Sequence, residues 1–127
     1  MEFQPPSWSG LFREKGYEVV ADEAFGQWQG DYVFVIREAY SEMPDFGVVV
    51  AGFGSCSYCD ALQACGSQED VDALFEQTMA SVEWYRNAVD VQYWLLGQAR
   101  NELRWYAHEP GFEEALERLR AELDRVI

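Results

Sequence analysis

The chain has 127 residues and a formal net charge of −14, and 49% of its residues are hydrophobic. This length favours a single domain, and the apolar content is enough for a core, which excludes a disordered chain. Because there is no apolar run of about 18 residues and no basic, apolar leader, we expect a soluble cytoplasmic protein that makes no membrane contact.

The first predicted unit is an N-terminal arm over residues 1–15, because two consecutive prolines and the segment Ser-Trp-Ser-Gly disfavour regular structure. The side chains of Trp8, Leu11 and Phe12 are expected to hold this arm on the body of the protein. Residues 16–127 are predicted to form a single α+β domain.

Three segments rich in β-branched and aromatic residues are predicted to form strands: Tyr17–Phe25, Asp31–Ala39 and Phe46–Phe53. The connectors between them are short and turn-like. Short connectors favour an antiparallel arrangement, so we expect a three-stranded antiparallel sheet over about 17–53.

Four helices are predicted after the strands. The first covers Tyr58–Ala64, the second begins after Ser67 and continues to Tyr85, the third runs from Asn87 to about Ala107, and the last begins at Pro110. Serine and asparagine three residues before an aspartate are typical N-caps, and proline is typical of a first helical position. Three strands followed by four helices indicate an α+β fold with the helices packed on one face of the sheet.

Two cysteines stand where the sheet gives way to the helices. Cys56 and Cys59 form a CxxC at a predicted helix N-terminus, which favours thiolate, but thioredoxin-like enzymes need further strands after the motif and a proline facing the thiols. If zinc is present, its ligands would be Cys56, Cys59, Cys65 and His108. The other interpretation is that Cys59 and Cys65 are small buried apolar residues. The first expectation is therefore no cofactor, with a zinc- or thiol-containing regulatory or structural module as the alternative.

The segment GFGSCSYCDALQ resembles a group of small acidic proteins encoded by bacteriophages of GC-rich hosts, which carry G-x-C-S-x-C-D-x-[aromatic or Leu]-[Gln or Glu]. The matching positions of this chain are Gly54, Cys56, Ser57, Cys59, Asp60, Leu62 and Gln63. The resemblance covers residues 28–85. It implies a phage protein in the cytoplasm of a host cell, and no mechanism.

The negative charge is concentrated in one part of the chain. Residues 16–85 hold thirteen acidic side chains and one basic one, a balance of −12, whereas residues 86–127 hold eight acids and six arginines, a balance of −2. Such a field repels nucleic acid and attracts basic protein surfaces. In a phage this predicts a non-enzymatic counter-defence inhibitor, an anti-CRISPR or anti-restriction protein that mimics nucleic acid. The other interpretation is an acidic surface that serves only solubility.

No motif of nucleotide binding, zinc proteolysis or serine hydrolysis is present, so no catalytic residue is predicted. The predicted partner-binding residues are seven acids and one turn tryptophan, namely Glu18, Asp22, Glu23, Trp28, Asp31, Glu38, Glu42 and Asp45. Three helical tryptophans, Trp84, Trp94 and Trp105, are expected in the core. The protein is expected to be a monomer, or a homodimer joined through the aromatic third helix.

Overall fold

The computed structural model describes residues 2–54 and 60–126. Within them the chain forms five helices and four strands, in the order α1 (Trp8–Glu14), β1 (Tyr17–Gly26), β2 (Gly30–Glu38), β3 (Phe46–Phe53), α2 (Gln68–Ala80), β4 (Glu83–Tyr85), α3 (Ala88–Leu96), α4 (Gln98–Glu102) and α5 (Phe112–Asp124). The α+β class predicted from the sequence is confirmed.

The strands form one antiparallel sheet in the order β1-β2-β3-β4, with β1 as a long outer strand. The predicted number of three strands is wrong by one. The spacing of apolar residues predicts a helix that continues to Tyr85, but α2 ends at Ala80. The residues of β4 that follow are extended and pair with β3, with Trp84 opposite Gly47. A three-residue strand is too short to produce a periodic signal of its own.

Helices cover both faces of the sheet, which corrects the prediction that they pack on one face. One core cluster joins Val33 and Val35 to α3, α4 and α5, and a second cluster joins Phe34 and Ile36 to α1 and α2. Successive strand residues point to opposite faces, so four consecutive apolar positions in β2 leave both faces in need of cover. We name the two layers the α3–α5 side and the α1–α2 side.

The N-terminal segment is helical where the sequence predicts irregular structure. Ser7 caps α1, and its hydroxyl accepts a hydrogen bond from the Gly10 backbone N–H at 3.1 Å. Trp8, Leu11 and Phe12 are buried in the second core cluster, as their apolar character predicts. The prolines precede the helix instead of preventing it.

Helices α2 and α3 begin as predicted but are shorter, whereas α5 begins at Phe112 and not at the predicted Pro110. The predicted helix Tyr58–Ala64 lies partly outside the described residues, and residues 61–64 form a turn. Ser67 caps α2, and the Asn87 side chain accepts from the Asp90 backbone N–H at 2.9 Å before α3. The predicted third helix is interrupted at Gly97, where α3 ends and the five-residue α4 begins. The last helix begins one residue after Gly111, which has a φ of 87°. No helix in the described ranges has both the length and the apolarity needed to cross a membrane.

Candidate partner-binding surface

Two of the predicted partner-binding acids form ion pairs within the protein. Glu18 accepts a hydrogen bond from Arg37 Nε at 2.9 Å, directly across the β1–β2 ladder. Glu23 pairs with Arg118 of α5, with 3.1 Å between Oε1 and the guanidinium nitrogen. Each carboxylate is therefore neutralised locally, and a partner would have to compete with an internal cation.

Asp31 is also engaged inside the protein. Its Oδ2 accepts a hydrogen bond from the Tyr106 hydroxyl at 2.9 Å, which ties β2 to the segment after α4. Burial, and then this bond, raise the pKa of Tyr106 to about 12, so the phenol remains a donor at neutral pH. Asp31 therefore stabilises the α3–α5 side and is not a free ligand.

Asp22 lies on the α1–α2 side, where it lines a cavity of about 420 Å³ together with Trp8 and Tyr32. Burial raises the pKa of its carboxyl, the charge of Glu23 raises it further, and Arg13 opposes both. Burial also raises the pKa of Glu122 in α5, with the charge of Asp22 as the next cause. These acids therefore oppose folding electrostatically at neutral pH.

Replacing Glu122 by glutamine is expected to raise the free energy of unfolding at pH 7 by about 0.5 kcal/mol. The pKa of the Glu122 carboxyl is higher in the folded protein than in the unfolded chain. The stability of the protein therefore falls as the pH rises from the unfolded-state pKa to the folded-state pKa. Glutamine keeps an oxygen acceptor for the Asp22 backbone N–H but carries no charge. Urea unfolding at pH 4 and pH 7 measures the effect. The gain should almost vanish at pH 4, where the carboxyl is largely protonated.

The exposed Glu42 supplies the control, because Glu42→Gln removes the same charge outside any helix and from a residue in no ion pair of the described residues. This substitution should not reproduce the gain in stability that Glu122→Gln gives at pH 7. An equal gain from Glu122→Gln at both values would contradict the electrostatic explanation.

The end of β2 and the β2–β3 connection differ from these sites, because none of their acids is in an ion pair with a residue that the structure describes. We define the acidic loop as Glu38, Tyr40, Glu42, Met43 and Asp45. The five ion pairs formed within residues 2–54 and 60–126 all use other acids. Tyr40 is 94% exposed and Met43 is 90% exposed. The loop thus combines three carboxylates that have no paired cation in the described part of the chain with two apolar side chains that are almost fully exposed.

Trp28 lies at the tip of the β1–β2 hairpin and is 87% exposed. Gly26, with a φ of 101°, permits the tight turn that places it there. The acidic loop is at the opposite end of β2, and the nine residues of that strand span roughly 26 Å at about 3.3 Å per residue. The eight predicted residues therefore do not form one continuous surface.

Comparison of the chain with protein-family models, curated proteins and solved structures gives no match. What the surface binds has to be inferred from its own charge and geometry. The acidic loop is the candidate site, since among the predicted residues only Glu38, Glu42 and Asp45 combine exposure and negative charge with exposed apolar neighbours.

The alternative site at the cysteines falls largely outside the described residues, which do not include Cys56 and Cys59. The Cys65 thiol donates to the Ala61 carbonyl oxygen at 3.4 Å and packs against the second core cluster, and burial raises its pKa. His108 is exposed, after a segment that packs on the α3–α5 side. Within residues 2–54 and 60–126 no three His, Cys, Asp or Glu side chains are placed to hold a metal ion.

Some exposed aromatic residues were not expected. Trp94 is buried as predicted, but Trp84 is 43% exposed and Trp105 is 69% exposed, so their predicted core positions are wrong. Trp84 lies on β4 instead of a helix, and Trp105 follows α4 with the Arg104 guanidinium 5.1 Å from its ring. Tyr40 was missed although it lies next to a turn-like segment, which is the signal that points to exposure.

Proposed function

We propose that this protein is a non-catalytic binding protein whose acidic loop docks on a basic surface of a partner protein. The observation that carries the proposal is the acidic loop, where Glu38, Glu42 and Asp45 form no ion pair within residues 2–54 and 60–126 and where Tyr40 and Met43 are exposed. Single exposed apolar side chains are ordinary, but Tyr40 and Met43 are exposed only three residues apart within a charged segment, which is typical of a binding surface.

The chemistry of the loop suits arginine and lysine. Carboxylates form short charge-assisted hydrogen bonds with guanidinium and ammonium groups, and Arg can bind them in a bidentate manner. Tyr40 offers an aromatic face for cation–π contact, and Met43 adapts to irregular apolar surfaces. The three carboxylates would orient the partner and speed its association, and the two apolar side chains would form the buried contact that slows dissociation of the complex.

The charge distribution supports a basic partner. The balance of −12 over residues 16–85 includes the acidic loop, whereas residues 86–127 are nearly neutral at −2. A basic surface approaching within about 8–10 Å of residues 16–85 is therefore attracted more strongly than one approaching residues 86–127, and the acidic loop is one group of acids, besides those of α2, that it can meet.

Basic grooves of this kind occur on proteins that handle nucleic acid, where they bind phosphates. The resemblance of the segment around Gly54 to phage proteins supports a host defence complex, of the CRISPR or restriction class, as the partner. A carboxylate loop seated in its groove would exclude nucleic acid and inhibit cleavage. The protein would then act as a counter-defence inhibitor that mimics nucleic acid.

Neutralising the loop tests the proposal. The variant Glu38→Gln, Glu42→Gln, Asp45→Asn should bind its partner about 10- to 100-fold more weakly, because it loses three pairs each contributing about 0.5–1 kcal/mol. The readout is DNA cleavage by purified CRISPR effector and restriction nuclease of the host, titrated with wild-type and variant protein at two salt concentrations. Wild-type inhibition should weaken with salt, and the variant should show little salt dependence.

The matched control removes three acids from α4, α5 and the segment between them, Glu102→Gln, Glu109→Gln and Glu114→Gln, none of which is in an ion pair of the described residues. It changes net charge by the same amount and should retain inhibition. Equal losses in the two variants would show a nonspecific charge effect, and no inhibition by the wild type of either enzyme class would overturn the counter-defence role.

A further inference from the structure

The outer edge of β3 is covered by β4 along part of its length. In the described part of the chain, β4 pairs with Phe46, Gly47 and Val48, the first three residues of β3. Residues 49–53 have no strand partner on this side among the residues that the structure describes. An open edge presents a row of backbone N–H and C=O groups, and such a row is complementary to another extended chain.

A groove lies beside this open edge, between β3 and α2, and has a volume of about 420 Å³. Val50, Ala51 and Gly52 of β3 line one side of it. The other side includes residues that share one face of α2 and its C-cap, namely Leu74, Gln77, Thr78 and Ser81. A groove between a strand edge and a helix can hold the side chains of an added strand while its backbone pairs with the edge.

Two residues of the open edge suit the approach of another backbone. Gly52 is exposed and has no side chain, and glycine inside a strand is typical of a position where another backbone comes close. Val50 is 43% exposed, whereas Val49 and Ala51 on the other face of the sheet are 2% and 7% exposed. An added strand would place a side chain next to Val50 and cover its exposed surface.

The charge around the groove favours a basic chain. No Lys or Arg is among the described residues that line it. Helix α2 carries four acids and no basic residue, and Asp70 lies one turn before Leu74 on the groove face. Glu83 follows Ser81 and lies opposite Val48, where the open edge begins. One acid therefore lies beyond each end of the stretch of α2 that lines the groove.

Both of these acids remain available to a cation. Asp70 accepts a hydrogen bond from the Gly66 backbone N–H at 3.3 Å, and Glu83 accepts one from the Tyr85 hydroxyl at 2.8 Å. Neither carboxylate is in an ion pair of residues 2–54 and 60–126. A carboxylate has several lone pairs, so each can still form a charge-assisted bond with Lys or Arg.

We propose that the open edge of β3 binds an extended, basic segment of another protein, which pairs with residues 49–53 as an added strand and packs alternate side chains against α2. The site is separate from the acidic loop, because the loop precedes β3 and the open edge lies at the far end of that strand. The proposal does not depend on the function proposed for the loop.

Titration of the full chain with the peptide Lys-Val-Lys-Val-Lys-Val-Lys, blocked at both ends, tests the site. The reference peptide has proline in place of each valine, so it keeps the charge but lacks three backbone donors. By calorimetry at about 0.15 M NaCl, the valine peptide should bind about tenfold more tightly. Outward-facing amides of residues 49–53 should exchange more slowly in its presence, because they then donate to the peptide.

Gln77→Arg should weaken binding of the valine peptide about tenfold, because it places a cation on the groove wall. The matched control is Gln68→Arg, the same substitution in α2 at an exposed residue outside the groove, which should change binding by about twofold or less. The variant Glu38→Gln, Glu42→Gln, Asp45→Asn should also keep its binding, so that failure of this site and failure of the acidic loop are distinguishable. Circular dichroism confirms that each variant is folded.

Equal binding of the valine and proline peptides would show attraction by charge alone and would overturn the proposal. Amides of residues 49–53 that exchange at the same rate with and without saturating valine peptide would overturn it as well. Tighter binding of a peptide with glutamate in place of lysine would exclude a basic partner. Protection of these amides that rises with protein concentration in the absence of peptide would assign the edge to a second copy of the chain instead.

Discussion

Replacing Phe12 by alanine is expected to lower the free energy of unfolding by about 3–5 kcal/mol. The Phe12 ring is fully buried, and its centroid lies 5.3 Å from that of Phe34, 5.8 Å from Trp8 and 6.1 Å from Phe75. It is thus the point where α1, β2 and α2 meet. Removing it leaves a cavity that three elements line and that none can fill alone, so both the transfer energy and the packing contacts are lost.

Urea unfolding followed by circular dichroism measures this loss. Tyr40→Ala is the control, since Tyr40 is an aromatic residue that is 94% exposed, and it should change stability by about 0.5 kcal/mol or less. Small domains have only about 5–15 kcal/mol in total, so Phe12→Leu is the milder variant if the alanine form does not fold. A loss below about 1 kcal/mol for Phe12→Ala would show that α1 contributes little to the core.

Replacing Gly30 by alanine is expected to cost about 3 kcal/mol. A Cβ at this position would overlap the carbonyl oxygen of Phe25 and lie 2.8 Å from its carbonyl carbon and 3.0 Å from Cα of Gly26. These are backbone atoms, so no side-chain rotation relieves the contact. The hairpin would have to open at the turn that presents Trp28, with loss of the adjoining β1–β2 pairs.

The control is Gly66→Ala, where the added Cβ meets nothing closer than Asp70 Oδ2 at 3.9 Å. This substitution should change stability by about 0.5 kcal/mol or less. The two variants are compared by thermal unfolding and by amide exchange in β1 and β2. If Gly30→Ala is as stable as Gly66→Ala and the hairpin amides keep their protection, the turn is not as tight as its atomic distances indicate.

Local signals in the sequence predicted β1, β2 and β3 and the starts of α2 and α3, but neither β4 nor α1. The N-caps at Ser67 and Asn87 were predicted because each residue precedes an aspartate by three positions. The strand over Gly30–Glu38 was predicted from its β-branched and aromatic composition. The two-sided layout was missed, although the unbroken apolar run in β2 indicates burial on both faces. The helix at Trp8–Glu14 was missed because proline and glycine outweighed a serine N-cap in the same short segment.

For the candidate site, the sequence predicted only that the surface is acidic and not which acids are available to a partner. The sequence shows that residues 16–85 are acidic, but it does not show which acids are neutralised. That depends on contacts between distant residues: Glu23 and Arg118 are 95 positions apart, and Asp31 and Tyr106 are 75 apart. Side-chain pairs at such separations leave no periodic pattern, so the distinction between engaged and free carboxylates requires the folded structure.

The long outer strand β1 has a further consequence for how the protein behaves at high concentration. An outer strand presents unpaired backbone groups that can template another chain, and ten residues is long for an unprotected edge. Asp22 lies on this strand in no ion pair of residues 2–54 and 60–126, and the pairing with β2 is irregular between Val19 and Ala21. A charged side chain on an outer strand and a local irregularity in its ladder both disfavour the pairing of a second edge. We expect these two features of β1 to oppose edge-to-edge association of the sheet at high concentration.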